Sequence, residues 1–222
     1  MTEKKYGIQP VTDETLRIAE ELIRAGEVVV IPTDTVYGVV ADPAKEQAVE
    51  KIFQVKHRPH EKTVQILAAS MEDTEKFGVR VPDALVPVEK AFMPGAVSVI
   101  ARVNDQQDQQ EQQTERLATV RTEADGSLTQ AVRLPDNEVS LRILSALGPL
   151  AASSANLSGQ EAAANAQDAY AQLGDTVALY LDGGPTPGPV ASTVVAWDED
   201  SQQPIFLREG VVPSAKIRAA LA

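Results

Sequence analysis

The apolar positions of this chain alternate between two periods. Over 12–25, Leu16, Ala19, Leu22 and Ile23 recur at helical spacing, Thr12 or Asp13 can cap the start and Gly26 can end the element. Over 44–55, Ala48, Val49, Ile52 and Phe53 form an inward stripe, with Lys45, Glu46 and Glu50 outside. Further helices are predicted over 82–92, 137–147, 161–173 and 213–221. Between them lie short apolar or alternating runs that predict strands over 27–31, 63–67, 97–103, 149–152, 177–181, 190–196 and 204–207. The runs 117–121 and 128–134 predict a hairpin turning at Asp125-Gly126. Strands and helices that follow one another in this way predict an α/β fold: a single mixed, twisted sheet flanked by helices.

At 222 residues and without repeats or linker-like boundaries, the chain reads as one domain, 1–222, large enough to bury a substantial core. The only low-complexity segment is the glutamine-rich run that starts at Asn104 and extends to Gln113, with 104–116 the full insertion. It lacks apolar residues, so it is expected to be a disordered extension between two strands.

Composition narrows the possible functions. No apolar run approaches the ~18 residues of a membrane span, and no h-region follows the N-terminal lysines, so no membrane partner or signal peptide is expected. Cysteine is absent, which excludes disulfides, thiolate metal sites and a cysteine nucleophile, and fits a cytoplasmic location. The net charge of −12 argues against strong direct binding of nucleic acid, which depends on neutralising phosphates.

The candidate chemistry lies in loops. Ile31-Pro-Thr-Asp-Thr-Val-Tyr-Gly38, Ser153-Ser-Ala-Asn-Leu-Ser-Gly159 and Gly183-Gly-Pro-Thr-Pro-Gly-Pro-Val-Ala-Ser-Thr193 are each rich in small hydroxyls, glycine or proline, and each follows an apolar run. Lys56-His-Arg-Pro-His-Glu-Lys62 brings three cations into seven residues. Hydroxyls, free backbone N–H groups and clustered cations suit a polyphosphate where no Walker loop is present. Loops from separate strand ends describe an open cleft on an α/β sheet. Taken singly each loop is equally well an ordinary turn, and Ser158 or Gly159 could simply cap the helix predicted at 161–173. His57 and His60, the only histidines, sit among cations and suggest no metal site.

The order of these stretches resembles the YrdC-type threonylcarbamoyl-AMP synthase family. The landmarks are Pro32-Thr-Asp-Thr-Val-Tyr-Gly38, Lys56-His-Arg-Pro59, Phe92-Met-Pro-Gly95, Val132-Arg-Leu-Pro135, Ser153-Ser-Ala-Asn-Leu-Ser-Gly159, Ser192-Thr193 and Leu207-Arg-Glu-Gly210, spanning 26–210. The resemblance implies a nucleotidyltransferase that joins L-threonine, bicarbonate and ATP into threonylcarbamoyl-AMP and pyrophosphate, for threonylcarbamoyladenosine modification of tRNA. It implies that Lys56 and Arg58 act on the ATP phosphates, assisted by Lys62, and that Ser154, Asn156, Ser192 and Arg208 contact the nucleotide. Thr33 and Arg133 fall where the family binds threonine, with Tyr37 either lining that pocket or packing beside it. Mg2+ is expected to enter with ATP, since no dedicated carboxylate cluster is visible. A tRNA threonylcarbamoyl transferase is the implied downstream partner.

Departures from the family pattern are also legible. Thr63-Val-Gln65 replaces a small residue followed by aliphatics, Leu67 stands where some members have histidine, and the glutamine-rich insertion is foreign. A chain of this length resembles the short, single-domain members. The altered strand after Lys62 keeps open a paralogue of the same fold that binds nucleotide or RNA without making the intermediate.

Overall fold

The structure is a computed structural model that describes residues 5–104 and 116–221. Its strands are β1 (Gly7–Pro10), β2 (Val29–Ile31), β3 (Gly38–Ala41), β4 (Gln65–Leu67), β5 (Val79–Arg80), β6 (Val97–Val103), β7 (Arg121–Thr122), β8 (Leu128–Arg133), β9 (Leu150–Ser154), β10 (Leu179–Asp182), β11 (Thr193–Asp198) and β12 (Gln203–Arg208). Its α-helices are α1 (Asp13–Arg24), α2 (Glu46–Val55), α3 (Glu72–Glu75), α4 (Val86–Phe92), α5 (Glu138–Leu147), α6 (Ala166–Leu173) and α7 (Ser214–Ala220). The glutamine-rich run lies almost wholly outside the described residues.

Among the described residues the strands form one mixed sheet in the order β1-β10-β2-β3-β9-β4-β8-β6-β11-β12, with β5 added on β6 and β7 on β8. Parallel pairs (β1 with β10, β10 with β2, β4 with β8, β6 with β11) are interspersed with antiparallel ones (β2 with β3, β3 with β9, β4 with β9, β6 with β8, β11 with β12). The central strands are apolar on both sides, as β2 illustrates with three consecutive residues fully buried.

The two halves of the sheet are covered differently. From β1 to β9, helices pack on both faces. Ala48, Val49 and Ile52 of α2 join Ala166, Ala169 and Leu173 of α6 against Val30, Val39 and Ala151. Leu16, Ala19 and Ile23 of α1 join Ile143 and Leu144 of α5 against Val29, Val40 and Ala152. From β4 to β12, Val88 of α4 and Ile217 of α7 cover the face that carries Ile66, Val97, Val99, Val132 and Val195. On the opposite face, which carries Gln65 where it pairs with Ala152, Leu67 still packs with the α1–α5 cluster, but no helix residue among those described lines the cavity beyond it.

Three of the helices start at side-chain caps that the sequence supplies locally. Thr12 and Thr15 form a reciprocal capping box on α1, with Thr15 N donating to Thr12 Oγ1 at 3.1 Å and Thr12 N to Thr15 Oγ1 at 2.9 Å. Asn137 caps α5 and Asn165 caps α6. The predicted helix over 161–173 therefore begins five residues late, and neither Ser158 nor Gly159 caps it. The reason is tertiary. Ala163 O accepts from Tyr37 N at 2.9 Å and Ala164 O from Thr186 N at 2.8 Å, which commits these carbonyls to other loops.

Candidate active site

Backbone hydrogen bonds join the three hydroxyl loops. Gly38 opposes Ser154 in the β3–β9 ladder. Ala155 N donates to Tyr37 O at 2.8 Å, and Gly188 N to Thr35 O at 2.9 Å. The loop that ends at Thr193 is fixed to the other half of the sheet, where Thr193 N donates to Ala96 O at 3.0 Å and Thr193 pairs with Val97. The Leu207-Arg-Glu-Gly210 motif closes this corner. Gly210 N donates to Thr193 Oγ1 at 3.0 Å, and a Cβ at Gly210 would lie 2.3 Å from Ala191 O, so only glycine fits there.

These loops border a cavity of about 480 Å³ on the uncovered face. Arg58, Lys62, Arg133 and Arg208 line it together with Ser153, Ser154, Ser192, Thr35 and Gln65, and no acidic residue is among its lining. In a chain of net charge −12, this concentration of cations marks an anion site.

The cations differ in how they are held. Arg58 Nη2 donates to Thr63 O at 2.7 Å, while its Nε is buried without a partner among the described residues. A buried donor left open is costly unless a ligand satisfies it. Lys62 Nζ reaches Ser158 Oγ at 3.3 Å and is otherwise exposed. Arg208 donates from Nε to Ser192 O at 2.9 Å and from Nη2 to Ser192 Oγ at 3.0 Å. Burial, then the charges of Arg133 and Arg58, lower its pKa, so the guanidinium gains from an arriving anion.

Arg133 is the most constrained. Its Nε donates to Gly95 O at 2.9 Å, Nη1 to Thr35 Oγ1 at 2.9 Å and Nη2 to Asp34 Oδ1 at 2.6 Å. It is 3% exposed, and burial lowers its pKa against the opposing pull of Asp34. Each of the three nitrogens is engaged, and the guanidinium plane is fixed toward the cavity floor. Thr35 and Asp34, not singled out from the sequence, therefore belong to the site as its supports.

Four other expected residues lie behind the cavity wall. Lys56 is fully buried; its Nζ donates to Ser154 O, to Asn156 O at 2.6 Å and to Asn156 Oδ1 at 3.4 Å. Burial, and then the charges of Arg58 and Lys62, lower it to about 7. Asn156 Nδ2 donates to Leu157 O and Gln160 O, both at 2.8 Å, so its amide closes the same turn. Thr33 Oγ1 donates to Val36 O at 2.6 Å and accepts from Val36 N at 3.3 Å, which builds its own loop. Tyr37 is fully buried, donates to Gly184 O at 2.7 Å, and is raised to about 12 chiefly by burial. These residues shape the loops, whereas Arg58, Lys62, Arg133, Arg208, Ser154 and Ser192 face the cavity.

Gln65 and Ser98 were also missed. Ser98 Oγ donates to Gln65 Oε1 at 2.8 Å and lies 3.0 Å from Ser192 Oγ. The signal was a polar residue on a strand otherwise buried, which has to be satisfied somewhere. His60 stacks on Phe53 with ring centroids 4.7 Å apart, and no group of three or more His, Asp or Glu able to hold a metal occurs among the described residues.

Comparison with known proteins identifies the family of the chain. Residues 21–210 match the Sua5/YciO/YrdC family model, described as "Telomere recombination". A Mycobacterium tuberculosis protein named as a candidate threonylcarbamoyl-AMP synthase is 36% identical over 90% of this chain and 85% of its own. The threonylcarbamoyl-AMP synthase of Bacillus subtilis is 32% identical over 94% of this chain and 57% of its own. The crystal structure of Pyrococcus abyssi Sua5 complexed with L-threonine superposes with a TM-score of 0.81 at 30% identity, covering 99% of this chain and 61% of that one. This chain thus spans about three-fifths of the two longer relatives. By sequence and by fold, the chain belongs to the Sua5/YciO/YrdC family.

Proposed function

We propose that this protein is a threonylcarbamoyl-AMP synthase that uses L-threonine, bicarbonate and ATP. The observation that carries the reading is the cavity itself, with four cations, several hydroxyls and no acidic lining residue, in an acidic chain whose relatives include named synthases. In the reaction the neutral threonine amine attacks the carbonate carbon. An N–C bond forms, water leaves, and a carbamate results. A carbamate oxygen then attacks the α-phosphorus as the bond to the β-phosphate oxygen breaks and pyrophosphate departs. No side-chain nucleophile is required, so rate enhancement rests on holding the reactants in line and stabilising charge on the phosphates.

Arg58, with its open Nε, is assigned to the phosphates together with Lys62, Ser154, Ser192 and Arg208. Arg133 is assigned to the threonine carboxylate, its plane already set by Gly95, Thr35 and Asp34. Lys56 and Asn156 hold the Ser154 loop in place from behind, and Thr33 and Tyr37 do the same for the first hydroxyl loop. Mg2+ arrives with ATP as part of the substrate, because hydroxyls and cations are poor ligands for a resident magnesium ion. The product serves tRNA threonylcarbamoyladenosine formation through a downstream transferase, and the enzyme works in the cytoplasm. No helix among the described residues is long and apolar enough to cross a membrane.

The test is incubation with ATP, threonine and bicarbonate, with mass detection of threonylcarbamoyl-AMP and measurement of pyrophosphate. Product that requires all three substrates is expected. Pyrophosphate release that is indifferent to threonine would refute the assignment.

A further inference from the structure

The polar chain on the cavity floor has a direction. Arg208 can only donate, and its Nη2 does so to Ser192 Oγ at 3.0 Å. Ser98 Oγ donates to Gln65 Oε1 at 2.8 Å, so across the 3.0 Å contact between the two serines the proton belongs to Ser192. The sequence Arg208 to Ser192 to Ser98 to Gln65 then satisfies every hydroxyl in turn. Reversing the Gln65 amide would reverse the serines as well, leaving the Ser192 proton without an acceptor at a site only 1% exposed. The oxygen of Gln65 therefore faces Ser98, and its Nε2 hydrogens remain without a partner among the described residues.

The sheet also states where this donor sits. In the order β4-β8-β6, the contact between Gln65 of β4 and Ser98 of β6 spans β8, where Ala131 is small enough to let the two side chains meet. Along β4 and the residues before it, Arg58 is anchored on Thr63 O, two residues before Gln65. Arg133 is registered opposite Leu67, two residues after it. Gln65 thus stands between the cation assigned to the phosphates and the cation assigned to the amino-acid carboxylate.

We propose that the Gln65 amide N–H binds the one-carbon unit, as bicarbonate and then as a carbamate oxygen, between the amino acid and the triphosphate. This deepens the synthase reading and rests on it. The chemistry requires the carbonate carbon to lie between the amine and the α-phosphorus, the same interval that Gln65 occupies. A neutral amide donor suits this place, since it holds an anionic oxygen without forming an ion pair that would suppress its attack on phosphorus. Ser98 is then a positioning residue, fixing which end of the amide faces the cleft.

The experiment measures the KM of bicarbonate, threonine and ATP separately in Gln65→Leu, Gln65→Glu and Ser98→Ala. Gln65→Leu removes the donor and should raise the bicarbonate KM about three- to tenfold, the scale of one lost hydrogen bond. The other two KM values should stay within about twofold, because their binding groups are untouched. Gln65→Glu should raise the bicarbonate KM further, by like-charge repulsion. Ser98→Ala should shift it in the same direction but less, since the amide is freed to turn rather than lost. Thermal melting of each variant identifies those that fold, and Ser98→Ala, on a different strand, keeps the question open to test if a Gln65 variant does not. An unchanged bicarbonate KM in the folded variants, or a rise confined to threonine or ATP, would overturn the assignment. A wild-type protein whose pyrophosphate release ignores bicarbonate would instead refute the synthase reading itself.

Discussion

The half of the sheet from β1 to β9 and the half from β4 to β12 obey the same strand chemistry but differ in what covers them. In the first, α1 and α5 seal one face and α2 and α6 the other, so nearly every inward position is aliphatic or alanine. In the second, α4 and α7 seal only one face, and the other carries Gln65, Ser98, Ile100, Ala131, Arg133 and Val194. The cavity begins where double cover stops. Apolar burial rigidifies the first half, and the loops that leave it are held to the second by backbone hydrogen bonds and by Arg133. Stability and binding are thereby divided between regions joined in one sheet, a division that substitutions can test.

The largest effect should be on stability and should come from the doubly covered half. Ile52→Ala, at a fully buried position between α2 and the sheet, should cost about 2–5 kcal/mol in denaturant unfolding. The turnover of the protein that remains folded should be little changed. On the open half the pattern should invert. Arg58→Ala should cost about 2–4 kcal/mol of transition-state stabilisation, measured as kcat/KM for ATP, while the unfolding midpoint barely moves. Arg58→Lys should restore only part, because a compact ammonium cannot form the planar guanidinium fork. Loss of stability without loss of rate would place Arg58 in the scaffold and erase the contrast.

A smaller effect concerns the substrate. If a buried polar group reads the side-chain hydroxyl, valine should fall behind threonine by about 1–3 kcal/mol in pyrophosphate release, and serine should lose less. Equal rates with valine and threonine would mean the pocket reads shape alone. The smallest expected effect serves as a control. Arg142 and Asp13 pair at 2.6 Å across the exposed groove between α1 and α5, with Asp13 92% exposed. Arg142→Ala should change stability by about 0–1 kcal/mol and leave activity unaltered.

Much of the local structure was written in the chain. The strand expected over 97–103 is β6, residue for residue, because alternating apolar positions bounded by a turn leave little choice. The helix over 12–25 differs from α1 only by its capping residues. The motifs also named the cavity-facing side chains Arg58, Lys62, Arg133, Arg208, Ser154 and Ser192. Other features lay outside sequence reach. β3 follows the first hydroxyl loop as only four apolar residues, too few for a period, and exists because β2 and β9 supply its ladders. β1 is short, ends in proline and is held at the sheet edge by β10.

The orientation of each polar side chain was likewise a tertiary matter. Lys56 and Arg58 stand two residues apart in one loop, yet one ammonium turns inward to three oxygens of the Ser154–Asn156 turn and one guanidinium lines the cavity. Local sequence specifies which groups can donate, and periodicity specifies which faces are apolar. Which donor meets a carbonyl and which is left for a ligand depends on residues about a hundred positions away, brought alongside only when the strands take their order in the sheet.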